Sequence, residues 1–180
     1  MMGRIIIVMV IGIFGSGILS AQGVSIGPVL GYQKASDADD GRLMYGAALR
    51  MKVSPGLGLE GSIIYRQEKY ADGLVTVKSW PVMASVLLYP FTSVYGTFGG
   101  GWYNTTFEFD REQLPMLNNK TNQEFGWHLG GGLELPFSST SRIFGDIRYV
   151  FIDYDIEELV EINGIQNNFY VITVGLLIGI

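Results

Sequence analysis

The last thirteen residues, Asn168 to Ile180, read N-F-Y-V-I-T-V-G-L-L-I-G-I. Tyr170, Ile172, Val174, Leu176, Ile178 and Ile180 form one row at a period of two, large and apolar throughout. Val171, Thr173, Gly175, Leu177 and Gly179 form the other row, small or weakly polar. A strict period of two specifies a strand, because successive side chains leave the pleated backbone on opposite faces. The length suits a tilted strand crossing a bilayer, which needs about 9–11 residues. Such a pattern running to the end of a chain is unusual for a soluble domain, whose termini fray.

The same period recurs in seven earlier stretches. Val24 to Gln33 puts Val24, Ile26, Leu30 and Tyr32 on one face. Met44 to Val53 alternates Tyr45, Leu49 and Met51 with Gly46, Ala48, Arg50 and Lys52. Leu57 to Tyr70 sets Leu59, Ile63 and Tyr65 against Glu60, Ser62, Ile64, Arg66 and Glu68. Leu74 to Tyr89 aligns Trp80, Val82, Val86 and Leu88, with a bulge or bend expected at Pro81. From Val94, the row Val94, Phe98 and Trp102 is taken as outward, against Tyr95, Thr97 and Tyr103. Phe125 to Phe137 opposes Trp127, Leu129, Leu133 and Leu135 to His128 and Glu134, and Arg142 to Asp153 opposes Ile143, Ile147, Tyr149 and Phe151 to Asp146 and Arg148.

Eight strands fit one domain of 180 residues. Cysteine is absent, which excludes disulfides and thiolate chemistry. Charged residues make up 16%, against roughly 25% in soluble domains. The net charge of −5 argues against a nucleic-acid partner. Ahead of the strands, Met1 to Arg4 carries one positive charge, Ile5 to Leu19 is apolar, and Ser20-Ala21-Gln22 offers a small-residue cleavage site. That layout predicts a secretory signal peptide over 1–21, with the barrel in 22–180. The alternative is an N-terminal membrane anchor, but the apolar run falls short of the roughly 20 residues of a spanning helix. No cysteine follows the site, so no lipoprotein is expected.

The connections alternate in length. Ser54-Pro55-Gly56, Pro90 to Ser93 and Ser138 to Ser141 are tight. Lys34 to Leu43, Thr105 to Glu124 and Tyr154 to Asn167 are long, and the turn around Ala71-Asp72-Gly73 is short unless its strands rise above the membrane. Short turns on one side and long loops on the other mark an outer-membrane barrel, with both termini in the periplasm. A soluble lipocalin-like barrel has the same alternation with its apolar face inward. The membrane reading is favoured because the non-apolar face is rich in glycine and charge. Aromatic residues also gather near strand ends. Tyr32, Tyr45, Tyr65, Trp102, Trp127, Phe151 and Tyr170 are expected to form an outer belt at the headgroup level, with Leu88, Phe91 and Phe137 at the inner rim.

Gly99-Gly100-Gly101-Trp102-Tyr103, Trp80-Pro81-Val82, Gly130-Gly131-Gly132-Leu133-Glu134 and the terminal strand together resemble small eight-stranded bacterial outer-membrane β-barrel proteins, the porin-like family that includes the OmpA membrane domain. The resemblance spans the chain after the signal. It implies an all-β, eight-stranded antiparallel up-and-down transmembrane barrel, exported through the periplasm to the bacterial outer membrane. Its implied partners are outer-membrane lipid, lipopolysaccharide and the barrel insertion machinery. It implies that the final strand carries the assembly signal, here Tyr170, Ile178 and Ile180; family members typically end in an aromatic residue. With no cell-wall-binding domain after Ile180, no OmpA-type tether is expected.

The interior of eight strands is just wide enough for side chains to fill. The inward charged set is Arg50, Lys52, Glu60, Arg66, Glu68, His128, Glu134, Asp146 and Arg148. Near balance of sign predicts a lumen ion-pair network, since buried charges must be paired. A three-residue turn at Ser54-Pro55-Gly56 would set Val53 opposite Leu57 and Arg50 opposite Glu60. A salt-bridged plug with a structural or interaction role is the preferred reading, and a narrow pore or transport module for small molecules is the alternative. Lipid A-modifying enzymes on this fold resemble serine hydrolases. His128 is the one histidine and has no serine beside it, although Ser62 or Ser85 could approach it in space. No enzyme activity, cofactor or metal site is expected. Asp37, Asp39 and Asp40 lack the rest of a calcium loop, and Gly99-Gly100-Gly101 precedes no helix that would make it a phosphate loop, so it is assigned to strand bending. The connection holding Phe107, Phe109, Leu114, Met116 and Leu117 is the place for an extracellular partner of unknown identity, or for a strand extension.

Overall fold

The structure is a computed structural model that describes residues 23–35, 41–70, 75–109, 120–152 and 168–180. Every regular element among them is a strand: β1 (Gly23–Ala35), β2 (Arg42–Ser54), β3 (Leu57–Tyr70), β4 (Val75–Ser79), β5 (Val82–Phe91), β6 (Val94–Phe109), β7 (Lys120–Pro136), β8 (Ser141–Ile152) and β9 (Phe169–Gly179). All pairings are antiparallel between neighbouring staves, and β1 pairs with β9, for example Leu30 with Val174, which closes the sheet. β4 and β5 are two halves of one stave between β3 and β6, so the barrel has eight. Residues 1–22, with the expected signal peptide, lie outside the described residues, as do Asp37, Asp39 and Asp40 and the loop residues Leu114, Pro115, Met116 and Leu117.

Proline explains the divided stave. Pro81 has no N–H to give to a ladder, so the strand breaks at Trp80 and Pro81. No bulge forms there, contrary to one of the two outcomes expected. Ser79 faces Arg66 and Val82 faces Ile63, three residues apart on each strand, so the register continues through the gap. Neighbouring staves hold the gap closed: the Ile64 amide donates to the Pro81 carbonyl at 3.2 Å, and the Trp80 amide to Asn104 at 2.9 Å.

The first tight turn also differs from expectation. Ser54 pairs with Leu57 around Pro55-Gly56, and the register shifts between Lys52 and Ser54. Val53 is therefore the extra residue of a bulge and does not oppose Leu57. The bulge supplies the one-residue offset that a three-residue turn would have supplied, so Arg50 still faces Glu60.

Side chains divide as the period requires. Along β5 exposed and buried residues alternate as far as Pro90, with Val82, Val86 and Leu88 out and Met83, Ser85 and Leu87 in. The row Val94, Phe98 and Trp102 is exposed and Tyr95, Thr97 and Tyr103 are buried. Outside, the rings of Trp102, Phe125 and Trp127 contact in sequence, as do those of Phe151, Tyr149 and Tyr170, and Tyr45 lies 5.5 Å from Tyr65. Above this aromatic level β3, β4, β6 and β7 continue as one sheet, from Arg66–Tyr70 across to Lys120–Asn122. β1 and β2 stop pairing at Gln33 and Arg42.

Gly99-Gly100-Gly101 makes no bulge in its strand. β6 runs unbroken past it in uniform register with β7. The glycines serve close approach: a Cβ on Gly99 would meet the Ala84 carbonyl oxygen and the His128 ring, and one on Gly175 would meet the Phe144 ring.

Candidate functional site in the barrel interior

The interior is stacked in layers along the barrel. The central layer is ionic, and it begins from the pairing of Arg50 on β2 with Glu60 on β3. Arg50 Nε donates to Glu60 Oε2 at 3.1 Å, and the neighbouring guanidinium nitrogen bonds the same oxygen. Arg50 Nη1 reaches across the lumen to Glu134 Oε2 at 2.7 Å. Arg148 Nη2 takes the other Glu60 oxygen at 2.7 Å and Asp146 Oδ2 at 2.8 Å, and its Nε donates to Asp146 Oδ1 at 3.0 Å. The result is one chain, Glu134–Arg50–Glu60–Arg148–Asp146, that zigzags between four staves. All five members are at most 5% exposed, so each charge depends on its partners.

Neutral groups complete the layer. Tyr95 OH donates to Asp146 at 2.7 Å, Thr173 OH to Asp146 at 2.6 Å and Tyr89 OH to Glu134 at 2.8 Å. The Arg50 guanidinium lies over the Tyr95 ring at 4.8 Å and the Phe144 ring at 4.4 Å. A planar, weakly hydrated cation between two aromatic faces is a favourable way to fill a narrow lumen.

His128 joins from β7. Its Nε2 is 2.9 Å from Ser85 Oγ, which also accepts from Arg148 Nη1 at 3.3 Å. Ser85 is thus the spatial neighbour that sequence separation conceals. The pair does not form a triad. His128 Nδ1 has no hydrogen-bond partner among the described residues, so no carboxylate orients the ring, and both side chains are buried.

Above the ions, toward the long connections, the lumen is apolar. Met44, Ile64, Met83, Tyr103, Val150, Ile152, Phe169 and Val171 pack together across it. A cavity of about 20 Å³, roughly the space of one water molecule, lies among these residues and reaches down to Glu60 and Arg148. On the opposite side Leu87, Tyr89 and Tyr95 pack beneath the ions. Lys52 lies there, its Nζ 2.9 Å from Glu134 Oε1 and 4.4 Å from the Tyr89 ring centre.

Of the expected network residues, Arg50, Lys52, Glu60, Glu134, Asp146 and Arg148 meet in one cluster, with His128 at its edge. Arg66 does not join it. Arg66 lies two residues beyond Ile64 on the far side of the apolar plug, half-buried. Glu68 pairs through its backbone with Val77 in the same extension, and its side chain lies outside the described residues. Sequence reasoning missed Arg142, Ser85, Tyr89, Tyr95 and Thr173 as network members. Tyr95 carried a signal: it is a large phenol followed in its row by Thr97, Gly99 and Gly101.

A closed antiparallel sheet with an apolar exterior, an aromatic ring near one rim and charges inside is the inverse of a soluble barrel. It is an integral outer-membrane β-barrel. The chain belongs to the outer membrane protein β-barrel domain family, whose model matches residues 10–176, and its place is the bacterial outer membrane. Neisserial surface protein A is 12% identical, with a TM-score of 0.59 over 87% of this chain and 96% of its own. Ail of Yersinia pestis is 15% identical, with a TM-score of 0.53 over 88% and 97%. OprG of Pseudomonas aeruginosa is 17% identical, with a TM-score of 0.51 over 88% and 94%. These likenesses concern the fold. No curated protein matches the sequence.

Proposed function

We propose that this protein is a closed, non-conducting outer-membrane barrel that acts through its outward surface. The observation that carries the reading is the pair of plugs in series, one ionic and one apolar. An ion entering from either end meets a layer with no room for its hydration shell, and displacing either layer would break buried contacts. The cluster at Ser85 and His128 is read as structural, so no lipid-modifying activity is assigned. The ring containing Tyr32, Tyr45, Tyr65, Trp102, Trp127, Phe151 and Tyr170 is read as the headgroup belt, and Tyr170, Ile178 and Ile180 as the assembly signal for the insertion machinery after removal of residues 1–21.

An interaction role is supported by the sheet of β3, β4, β6 and β7, which rises beyond the aromatic ring by roughly 15 Å at 3.3 Å per residue. Partner chemistry follows from charge. Segments 36–40, 71–74, 110–119 and 153–167, which join the strands at that end, hold eleven of the 17 acidic residues and a single base, Arg111. Ail has been solved with the heparin analogue sucrose octasulfate; acidic connections disfavour such a polyanion here and favour a cationic partner.

Planar-bilayer recording of the refolded protein tests the closed state. The expected trace shows no discrete current steps in 1 M KCl. Reproducible unitary steps from the unmodified protein would instead establish the pore.

A further inference from the structure

The end of the barrel that carries the short turns has its own site. An open concavity of about 630 Å³ lies there, with Lys52, Tyr89, Phe91 and Arg142 among the residues that line it. Both of its cations lean on one oxygen: Lys52 Nζ is 2.9 Å and Arg142 Nη1 is 3.4 Å from Glu134 Oε1. That carboxylate is already committed through Oε2 to Arg50 and Tyr89. One Glu134 therefore serves three cations.

The surplus sits at the mouth. Deeper in, Arg50 and Arg148 are matched by Glu60 and Asp146. The side chains of Lys52 and Arg142 are 17% and 41% exposed, so both can meet an incoming group while touching Glu134. Each has donors to spare, since an ammonium carries three and a guanidinium five. None of the short turns, Pro55-Gly56, Thr92-Ser93 or 137–140, contains an acidic residue. Phe91, which also lines the concavity, is exposed and apolar, the kind of side chain favoured where protein meets the headgroup level.

We propose that this vestibule binds a phosphate group, held by Lys52 and Arg142 above the Glu134 carboxylate. A phosphate supplies the missing negative charge and several acceptor oxygens for a fork of cationic donors. The proposal does not depend on whether the lumen conducts. Its phosphate comes from a phospholipid headgroup of the adjacent leaflet or from a soluble periplasmic phosphate.

Native mass spectrometry of the folded barrel in neutral detergent tests this. Phosphatidylglycerol, its uncharged counterpart diacylglycerol, and inorganic phosphate are titrated separately against the unmodified protein, Arg142→Gln and Lys52→Gln/Arg142→Gln. The expected result is a one-to-one adduct with phosphatidylglycerol but not diacylglycerol, weakened about tenfold by Arg142→Gln, or about 1.4 kcal/mol, as loss of one charged hydrogen bond implies. An adduct with inorganic phosphate that weakens in the same way assigns the site to phosphate itself; binding of the lipid alone assigns it to a headgroup. Equal affinity in the unmodified protein and Arg142→Gln, or no phosphate-dependent adduct, overturns the proposal. Arg142 is exposed enough for that variant to fold, as an unchanged heat-dependent gel shift would verify, so a misfolded double variant does not decide the question.

Discussion

The two layers of the lumen fill its space by opposite means. The ionic layer is directional: Arg50, Glu60, Arg148, Asp146 and Glu134 each need a partner at a fixed angle. The apolar layer of Met44, Ile64, Met83 and Phe169 needs only matching volume. Loss of one member should therefore differ in kind between them. In the first it strands a charge, and in the second it leaves a void.

The comparison can be broken by single substitutions. Arg50→Met removes the cation between two carboxylates and should cost about 3–5 kcal/mol in urea unfolding from lipid vesicles, followed by tryptophan fluorescence. Adding Glu60→Met should restore part of that loss, because fewer carboxylates are then left unpaired; a double variant worse than the sum of its singles would show that packing, not charge, dominates the layer. Met83→Ala should cost about 2–5 kcal/mol by the same assay, with no such rescue from a neighbour. Neither Arg50→Ala nor Phe169→Ala alone should give current steps, while the pair together should, because two plugs in series must both be thinned.

Smaller effects sharpen the picture. Ser85→Ala leaves His128 Nε2 buried without its hydroxyl and should cost about 1–3 kcal/mol. Lipid A from cells expressing that variant should have an unchanged mass profile; a changed profile would reopen the enzyme reading. Arg142→Gln, at the exposed mouth, should shift stability by no more than about 1 kcal/mol, so its effect on phosphate binding can be read cleanly.

Much of the interior was legible because the strand period is strict. Parity placed Arg50, Glu60, His128, Glu134, Asp146 and Arg148 on the inner face before any pairing was known. The facing of Arg50 and Glu60 followed from turn length alone, and it survived a wrong turn because the bulge at Val53 replaced the missing residue. Pro81 announced an interruption, but whether the register would shift there was decided by β3 and β6 on either side. The apolar plug was less visible. Met44, Ile64 and Met83 share rows with small or charged residues, and only their convergence across the lumen turns isolated exceptions into a layer.

By itself the sequence determined the inside and outside of each strand, since a pleated backbone leaves no choice once one face is apolar. It determined the number of staves and the asymmetry of their connections through the spacing of those rows. Only the tertiary structure decided which charge meets which, that Ser85 lies against His128, and that Lys52 and Arg142 share one oxygen of Glu134. Most of those contacts, Arg50 to Glu134, Arg148 to Glu60 and Ser85 to His128 among them, join residues 40 to 90 apart in the chain, and the closed curvature of the sheet, which no local pattern encodes, sets their distances.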